Sequence, residues 1–575
     1  MAPLFAVLAL ASLPVIAMAQ DRPAPESTAA IEPRAAMTAT KWIAVAAHPL
    51  AAEAGREVLA SGGSAADAAV AVQLVLNLVE PQSSGIGGGA FALYWSAAEG
   101  RLTSFDGRET APMAADEDYW LDEDGAPLPF WEALVGGRSV GVPGTLKLLE
   151  ELHARHGRIP WPELVAPAIR LAEEGFQVSP RLAHAIAEAE ERGLDAFEAT
   201  RAYFLDGNGT PLAAGSLLRN PAFARTLRMI AQHGSSSFYE GAIARDIVAA
   251  VRTDINPGIM TAEDLAAYEV IERDPVCIEY REFEICGMGP PSSGGLTVGQ
   301  ILGMLESFDL AEIGPGPEAE HLFIEASKLA FADRDLYMAD ADFVDMPEGL
   351  LDADYLAERA RVIDAEAVME TAEAGEPPWE DAALLAPDDQ EELPATSHFV
   401  IVDERGDMIS MTTTIEAGFG SRVMTNGFLL NNELTDFSFV PEMEGAKVAN
   451  RVEGGKRPRS SMAPTVVLKD GEPVLLTGSP GGSAIIGYVA HSLIAMLDWE
   501  MDPQEAVDLP HVINRNGPTV VEAVPEADAL AEALAAMGHE IERADLNSGL
   551  HAVRIGPEGL TGAVDPRREG RAAGD

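Results

Sequence analysis

The pattern of apolar residues changes near residue 396 of this 575-residue chain, and the change restricts the folds that it can adopt. Helix-type spacing dominates up to about residue 370, as in Ala65–Val79 and His321–Tyr337. Strand-type segments follow, among them Thr396–Val402 and Met408–Thr414, which are rich in β-branched residues. Helices early and strands late predict a layered α+β fold rather than a regular alternation of strands and helices.

Composition excludes several classes of protein. Hydrophobic residues make up 47% of the chain, which is typical of a globular protein. The net charge is −53, and so acidic a surface repels nucleic-acid phosphates and anionic lipid head groups. The sequence therefore predicts neither a nucleic acid nor a membrane surface as a partner.

The N-terminus has the pattern of a secretory leader. The apolar stretch from Leu4 to Met18 is too short to span a bilayer, and it ends in the small-residue pattern Ala17-Met18-Ala19. We predict a signal peptide at residues 1–19 and a periplasmic or secreted protein, although no Lys or Arg precedes the apolar stretch. A retained membrane anchor is the alternative. Residues 20–40, rich in Pro, Ala and Ser, are predicted to form a flexible spacer.

The chain has two cysteines, which excludes a scaffold of several disulfides and a cysteine-based zinc site. Cys277 and Cys286 lie in two alternating runs around Arg281-Glu282, a hairpin-like pattern that would place them opposite each other. The pattern is compatible with a disulfide and with two unbonded strand cysteines. The histidines are scattered, so we predict no metal site and no cofactor.

Two glycine-rich motifs match catalytic patterns but lack the context that those patterns need. Gly137–Gly141 has the spacing of a nucleophile elbow around Ser139, but the turn that continues to Gly144 separates this serine from the next helix. Gly85–Ala90 has the spacing of a dinucleotide-binding loop, but no strand precedes it and strand-like residues follow it. We interpret these motifs as a turn and as a site of close backbone packing.

Thr396 stands where an acidic segment ends and a strand begins. The preceding segment, Ala365–Pro394, is rich in Glu, Ala and Pro and is predicted to be exposed and poorly ordered. A cut between Ala395 and Thr396 would give Thr396 a free α-amine with a pKa of about 8, which can act as a base on its own hydroxyl. The cut can be intramolecular, because the Thr396 hydroxyl can attack the Ala395 carbonyl and water can hydrolyse the ester. Residue type alone does not distinguish Thr396 from the other threonines.

Eight short motifs in a fixed order resemble the γ-glutamyltranspeptidase family, from about residue 42 to the C-terminus. They are Pro81–Gly89, Phe105–Glu109, Gly141–Gly144, Pro290–Gly295, Thr396–His398, Leu430–Glu433, Lys456–Met462 and Gly478–Ser483. Each motif alone is weak, but their joint order is specific.

The resemblance implies an N-terminal-nucleophile hydrolase with a four-layer αββα sandwich. It also implies a precursor that cleaves itself between Ala395 and Thr396. The large subunit would begin at Gln20 and contain the compact part 41–395, and the small catalytic subunit would be 396–575. The two would remain one structural unit, as a heterodimer. The implied activity is hydrolysis or transfer of a γ-glutamyl group, with glutathione as donor and water, an amino acid or a peptide as acceptor.

The resemblance also assigns roles to individual residues. Thr396 would be the nucleophile, and Thr414 would orient its hydroxyl and amine. The backbone N–H groups of Gly481 and Gly482 would stabilise an oxyanion. The donor would be held at its α-carboxylate by Arg108, Ser460 and Ser461, and at its α-ammonium by Glu433 and Asp436. Simpler interpretations remain for all of these residues: an ordinary strand threonine, a glycine turn, a surface arginine, capping serines and a solvated acidic loop.

Glu416 departs from the family pattern, because typical members have asparagine there. Its carboxylate would strengthen ammonium binding, weaken carboxylate binding or pair with an arginine. The segment between Asp436 and Ser460 also looks shorter than the one that forms the active-site lid in the family. His398 matches the family pattern, and we expect a structural role for it.

Two other functions compete with this interpretation. One is an amide acylase of the same fold, acting on glutaryl side chains such as those of cephalosporins. Asp436 argues against it, because an acyl group without an amine would leave this carboxylate desolvated and unpaired. The other is an uncleaved binding protein, which an intact Thr396 and the Gly481-Gly482 pair disfavour.

Overall fold

The structure is a computed structural model that describes residues 33–379, 383–388, 390, 392–393 and 395–575. The predicted signal peptide, 1–19, and residues 20–32 of the predicted spacer lie outside the described residues. Across the described ranges, no helix combines the length and the apolar character that a membrane span requires.

The strands follow in chain order. They are β1 (Met37–Ala39), β2 (Ile43–Ala46), β3 (Gly89–Ser96), β4 (Arg101–Gly107), β5 (Phe176–Gln177), β6 (Leu217–Leu218), β7 (Ile271–Arg273), β8 (Val276–Tyr280), β9 (Phe283–Gly287), β10 (Leu385–Ala386), β11 (Thr396–Val402), β12 (Met408–Thr414), β13 (Met424–Thr425), β14 (Phe428–Leu429), β15 (Glu442–Met443), β16 (Ala446–Val448), β17 (Thr465–Lys469), β18 (Glu472–Gly478), β19 (Val512–Ile513), β20 (Thr519–Glu522), β21 (Ile541–Ala544), β22 (His551–Gly556), β23 (Gly559–Val564) and β24 (Arg571–Gly574).

The α-helices are numbered in the same way. They are α1 (Pro49–Ala60), α2 (Ala65–Val79), α3 (Phe130–Leu134), α4 (Thr145–His156), α5 (Trp161–Glu174), α6 (Pro180–Glu190), α7 (Glu198–Phe204), α8 (Pro221–His233), α9 (Ser236–Tyr239), α10 (Ala242–Ala250), α11 (Ala262–Ala266), α12 (Gly294–Leu305), α13 (Leu310–Ile313), α14 (Pro317–Tyr337), α15 (Ala353–Ala360), α16 (Ile485–Leu497), α17 (Pro503–Asp508) and α18 (Asp528–Met537).

Two seven-stranded sheets form the centre of the molecule. One has the order β1-β23-β22-β18-β17-β9-β8, and the other has the order β24-β2-β11-β12-β3-β4-β7. Apolar side chains of both sheets, such as Val400 and Val466, meet in one buried cluster between them. A second cluster joins the outer face of the sheet that contains β11 to helices α1, α2, α4 and α5. A third cluster joins the sheet that contains β18 to helices α12, α14 and α16. These four layers confirm the predicted αββα sandwich.

Strand β11 shows how the sequence produces these layers. Successive side chains of a strand point to opposite faces. Val400 and Val402 therefore enter the cluster between the sheets, whereas Phe399 and Ile401 enter the helix-covered cluster. Both faces of β11 are buried, which explains why four apolar residues follow one another from Phe399 to Val402.

Helix α2 is buried on every side, as its almost wholly apolar sequence predicts. It packs against helices α1, α4 and α5 and against strands β11 and β12. Ser64 begins the helix by accepting a hydrogen bond from the Asp67 backbone N–H, while the Asp67 side chain accepts one from the Ser64 backbone. The cap fixes the start of a helix that lies directly behind the strand beginning at Thr396.

The predicted cysteine hairpin is present, and it contains a disulfide. Strands β8 and β9 pair in antiparallel fashion, with Cys277 opposite Cys286. The two sulfurs are bonded to each other. Of the two alternatives that the sequence leaves open, the structure therefore contains the bonded one.

Short parts of two segments that the sequence predicts to be flexible or poorly ordered make defined contacts, and the prediction is wrong at those residues. Met37–Ala39, at the end of the predicted spacer, forms strand β1 and pairs with β23 at the edge of a sheet. Within the acidic segment, Leu385–Ala386 pairs in parallel with β16, and the Ala372 backbone N–H donates to Asn516 Oδ1 at 2.7 Å. Composition suggests exposure in both cases, but the partners of these backbone groups lie far away in the sequence.

The two glycine-rich motifs have the backbone roles that the sequence predicts. The Ser139 hydroxyl donates to the carbonyl oxygen of Leu134 at 2.6 Å, inside a turn. A side chain at Gly87 would overlap the carbonyl oxygen of Leu429, and one at Gly88 would overlap that of Thr414. Glycine is therefore required where this loop passes behind the end of β12.

Candidate active site

Thr396 and Thr414 lie opposite each other at the ends of two paired strands. Thr396 is the first residue of β11, and its register partner Thr414 is the last residue of β12. The Thr396 hydroxyl donates to Thr414 Oγ1 at 3.5 Å, and the Thr414 hydroxyl donates to the carbonyl oxygen of Ala395 at 3.0 Å. The predicted nucleophile, its predicted orienting residue and the carbonyl of the predicted cleavage site are thus in direct contact.

Arg568 fixes the other side of this strand end. Its Nη1 donates to the carbonyl oxygen of Thr396 at 2.9 Å, and its Nε donates to Asn547 Oδ1 at 3.2 Å. The sequence analysis did not identify Arg568, because it lies 172 positions from Thr396. This contact restrains the backbone of Thr396, the predicted nucleophile, and so helps to fix the position of its hydroxyl.

Gly481 and Gly482 both have left-handed backbones, with φ of 138° and 57°. A Cβ atom on Gly482 would lie 2.5 Å from the carbonyl oxygen of Glu392. The predicted oxyanion loop therefore touches the segment that precedes Thr396. Glycine is needed at both positions, because other residues rarely adopt such φ values.

Arg108, Glu433 and Asp436 form one buried ion-pair network. Arg108 Nη1 donates to Glu433 Oε1, and Arg108 Nη2 donates to Asp436 Oδ2 at 2.6 Å. Arg108 also donates to the carbonyl oxygens of Pro458 and Arg459, at 3.1 and 2.8 Å. The groups predicted to bind the carboxylate and the ammonium of a donor thus neutralise each other in the uncleaved chain.

Burial dominates the titration of this network. It raises the pKa values of Glu433 and Asp436 well above their usual range, although the positive charge of Arg108 opposes the shift. Burial likewise raises the pKa of the neighbouring Glu109 to about 8. Burial disfavours the charge of Arg108, but Glu433 and Asp436 outweigh this effect and raise its pKa. One guanidinium therefore holds a group of carboxyls that bind protons more readily than usual.

Glu416 is connected to the segment before the cleavage site rather than paired with an arginine. Its Oε1 accepts a hydrogen bond from the Leu393 backbone N–H at 2.8 Å, and its Oε2 accepts one from Asn432 Nδ2 at 2.5 Å. Burial and the nearby negative charge of Asp436 raise its pKa well above the usual range. Protonation of this third carboxyl is therefore easier than usual, and its contacts do not include an arginine. Its backbone has a φ of 72°, which is uncommon for a residue with a side chain.

The two predicted carboxylate-binding serines have different environments. Ser460 Oγ accepts a hydrogen bond from the Met462 backbone N–H at 3.2 Å, a local contact in a segment where no helix begins. Ser461 Oγ accepts one from Arg334 Nη2 at 2.8 Å. Arg334 and its partner Glu392 are further residues that the sequence analysis missed, because one more charged residue in a helix that carries several, or in an acidic segment, gives no distinctive signal.

His398 is buried in the sheet and lies away from the reacting atoms. Its Nδ1 makes a hydrogen bond of 2.9 Å with Thr412 Oγ1, and its ring stacks on that of His551. Burial, with His551 close by, lowers its pKa well below the usual value, so the ring is neutral. These contacts fit the structural role expected from the sequence.

Within the described ranges, two groups of side chains have the proximity of metal ligands. In Cys277, Glu284 and Cys286 the sulfurs form the disulfide. In the other group, His321 and His539 bond to each other at 2.8 Å and Glu325 bonds to Lys328 at 2.9 Å. Neither group includes a residue predicted for the active site.

Comparison with known proteins identifies the family. The model of the γ-glutamyltranspeptidase family matches residues 51–575. The glutathione hydrolase proenzyme of Bacillus subtilis (strain 168) is 38% identical over 92% of this chain and 90% of its own length. The protein of the same name from Escherichia coli (strain K12) is 35% identical over 98% of this chain and 97% of its own. The crystal structure of a cephalosporin acylase from Bacillus halodurans aligns with a TM-score of 0.82 at 29% identity, covering 96% of this chain and 99% of its own. The chain therefore belongs to the γ-glutamyltranspeptidase family.

Proposed function

We propose that this chain is a self-processing γ-glutamyl hydrolase and transferase in which Thr396 is the nucleophile. One observation carries the proposal: the Thr396 hydroxyl, the Thr414 hydroxyl and the Ala395 carbonyl oxygen form a continuous hydrogen-bonded series. Glutathione is the expected donor, because the Bacillus subtilis and Escherichia coli relatives are glutathione hydrolases. Water, an amino acid or a peptide is the expected acceptor.

Self-cleavage would proceed by attack of Thr396 Oγ1 on the Ala395 carbonyl carbon. The hydroxyl loses its proton, an ester bond forms, the peptide C–N bond breaks, and the proton ends on the new α-amine. Water then hydrolyses the ester and leaves a carboxylate on Ala395. The products would be a large subunit ending at Ala395 and a small subunit, 396–575, that begins with a nucleophile carrying its own base.

In the mature enzyme, the Thr396 amine would accept the hydroxyl proton during attack on the γ-glutamyl carbonyl. The backbone N–H groups of Gly481 and Gly482 would face the developing oxyanion, and each such donor contributes about 3 kcal/mol. A zwitterionic donor would replace the ion pairs that Arg108 forms with Glu433 and Asp436. Its ammonium would pair with the two carboxylates, and its carboxylate would pair with Arg108. The exchange keeps every charge paired, as a buried site requires.

The test starts with a denaturing gel of the purified protein. We expect two bands, with Thr396 as the N-terminal residue of the smaller one, and a full-length Thr396→Ala chain. Mature enzyme should hydrolyse a γ-glutamyl anilide and spare the α-glutamyl isomer. A Thr396→Ala chain that still divides between Ala395 and Thr396 would contradict the mechanism.

The acylase alternative has structural support from the Bacillus halodurans cephalosporin acylase. A glutaryl anilide distinguishes the two, because a glutaryl group has the terminal carboxylate of a γ-glutamyl group but no ammonium. Asp436 and Glu433 favour the substrate with the ammonium, since they would otherwise be left without a cation from the substrate. Faster turnover of the glutaryl anilide than of the γ-glutamyl anilide would favour the acylase.

We also propose that the protein is exported. The predicted leader at residues 1–19 and the disulfide between Cys277 and Cys286 both support this, because disulfides persist in oxidising compartments. N-terminal sequencing of the large subunit from the native host should begin at Gln20. A large subunit that retains Met1 would contradict the proposal.

A further inference from the structure

A buried arginine outside the predicted site lies against it. Arg334, in helix α14, donates through Nη2 to Ser461 Oγ at 2.8 Å and to Glu392 Oε1 at 2.5 Å. Its other edge is fixed, because Nε donates to Ser293 Oγ and Nη1 donates to Asp335 Oδ1, both at 2.9 Å. Arg334 is thus held rigidly, and it presents one nitrogen to a predicted donor-binding serine and to a carboxylate from the segment before the cleavage site.

That carboxylate belongs to a short stretch of chain that contacts several residues predicted for the donor site. The carbonyl oxygen of Glu392 lies against Gly482, and the backbone N–H of Leu393 bonds to Glu416 Oε1 at 2.8 Å. Two consecutive residues therefore touch the predicted oxyanion loop and the residue that departs from the family pattern. Through Arg334, they also reach Ser461 at the predicted carboxylate subsite.

The charge of Glu392 also acts on the buried ion-pair network. It is one of the negative charges that raise the pKa of Arg108, and it contributes to the raised pKa of Asp436. Burial disfavours the charge of Arg334 itself, but Glu392 and Asp335 outweigh this effect and raise its pKa. The Glu392 carboxylate thus lies within electrostatic reach of two cations, Arg334 and Arg108.

We propose that Arg334, together with Ser461, is a second carboxylate-binding residue of the donor site, and that Glu392 occupies the position of the substrate carboxylate in the uncleaved chain. The proposal rests on the proposed function of this site. It adds a second cation to a subsite for which the sequence predicts only Arg108. The substrate class is an acyl donor with a terminal carboxylate, whether or not it also carries an ammonium.

Cleavage provides a way for the exchange to occur. Once the bond between Ala395 and Thr396 is cut, Glu392 lies near a free chain end that is no longer tied to β11. Withdrawal of its side chain would leave Arg334 as a buried cation without that anion, a costly state that favours entry of another carboxylate. The donor carboxylate meets this requirement.

The proposal is tested on the self-cleaved enzyme with three anilides, which differ in whether the acyl group carries a carboxylate, an ammonium or both. The γ-glutamyl anilide has both the carboxylate and the ammonium, the glutaryl anilide has only the carboxylate, and the 4-aminobutyryl anilide has only the ammonium. Arg334→Gln should raise KM at least tenfold for the two donors with a carboxylate. It should change kcat/KM for the 4-aminobutyryl anilide by less than about twofold.

Arg359→Gln is the matched control. Arg359 also bonds to helix α14, at Asp333 and at the carbonyl oxygen of Leu329, but it contacts none of the predicted site residues. It should affect the three anilides equally. An equal loss on all three anilides in Arg334→Gln, or no loss at all, would overturn the proposal. Wild-type enzyme that hydrolyses none of them would instead refute the proposed function.

A binding measurement tests Glu392 without turnover and without altering Arg334. In the uncleavable Thr396→Ala chain, the melting temperature is followed as L-glutamate is added, with and without Glu392→Gln. The neutral side chain should be displaced more easily, so the half-maximal glutamate concentration should fall at least tenfold. 4-Aminobutyrate, which lacks the α-carboxylate, should show no such difference, and neither should the exposed control Glu366→Gln. Identical glutamate titrations with and without Glu392→Gln would overturn the proposal.

Discussion

The hydroxyl of Thr414 donates a hydrogen bond to the carbonyl oxygen of Ala395, 3.0 Å away. The same oxygen of Thr414 accepts a hydrogen bond from the Glu416 backbone N–H at 2.8 Å, which orients the hydroxyl. A donor in this position polarises the carbonyl that Thr396 would attack and stabilises the negative charge that develops on it. We therefore expect Thr414 to assist self-cleavage of the precursor, in addition to the role predicted for it in the mature enzyme.

Replacement of Thr414 should therefore slow maturation. Thr414→Val keeps the shape but removes the donor, a loss of about 3 kcal/mol that corresponds to a decrease of about 100-fold in the rate of self-cleavage. Thr414→Ser retains a hydroxyl and should mature within about tenfold of the normal rate. Gel time courses after synthesis of the precursor measure both rates. Equal rates for the valine and serine variants would show that the hydroxyl does not assist cleavage.

Glu416 should also contribute to self-cleavage, although the sequence suggests an effect on donor binding alone. Its Oε1 accepts the hydrogen bond from Leu393 and so holds the chain just before the cleavage site. Glu416→Ala removes this bond and should slow cleavage about fivefold, since one such hydrogen bond contributes about 1 kcal/mol. Glu416→Gln keeps an acceptor oxygen of the same reach and should mature normally. Gel time courses measure both rates, and equal cleavage rates for the two variants would contradict a role of this hydrogen bond.

Glu416→Asn should improve the mature enzyme for γ-glutamyl donors. Burial and the negative charge of Asp436 raise the pKa of Glu416, so ionisation of this carboxyl costs free energy that an amide in its place would not cost. We expect a lower KM and a gain of about tenfold in kcat/KM, or about 1.4 kcal/mol. Kinetics are to be measured on fully cleaved protein, because asparagine is shorter than glutamate and would weaken the contact with Leu393 that is expected to assist cleavage. Loss of activity on γ-glutamyl anilides in fully matured protein would make Glu416 a positive recognition element.

Glu109 should make the uncleaved chain less stable as pH rises. Its pKa is raised to about 8 in the folded state, mainly by burial, so the folded chain retains a proton that the unfolded chain releases near pH 4.5. The stabilisation is complete below about pH 4.5 and is lost as pH rises towards 8, by at most about 1.4 kcal/mol per pH unit. In Thr396→Ala protein, urea unfolding between pH 5 and 8 should show a smaller decline when Glu109→Gln is added. An unchanged decline would assign the proton to another carboxyl.

The Cys277–Cys286 disulfide should stabilise its hairpin. It closes a loop of about ten residues, for which chain entropy predicts about 2–3 kcal/mol. Cys277→Ser, Cys286→Ser and reduced wild-type protein should therefore share a lower urea midpoint. A reductant should have no further effect on either variant. Coincident unfolding curves for oxidised and reduced wild-type protein would contradict the expectation.

The sequence predicted the elements whose pattern is local. Strands β11 and β12 and helix α2 lie at the predicted bounds, because alternation and a capped apolar run are local signals. Leu385–Ala386 was missed because a strand of two residues depends on its partner, β16, about sixty positions away. Arg334 was missed for a related reason: its importance comes from contacts with Ser461 and Glu392, which no local spacing reveals.

The order of strands in one central sheet determines whether the two products of self-cleavage can separate. In β24-β2-β11-β12-β3-β4-β7, the strands β2, β3, β4 and β7 precede Thr396 in the chain, whereas β24, β11 and β12 follow it or begin at it. The two products would thus share three strand-to-strand ladders in this sheet alone. Separation would require all of these ladders to open together, so the halves should melt in a single transition and should not exchange between molecules. Either half made alone would expose unpaired strand edges, which favour aggregation. The cut would change the chemistry at Thr396, while these ladders keep the two products associated.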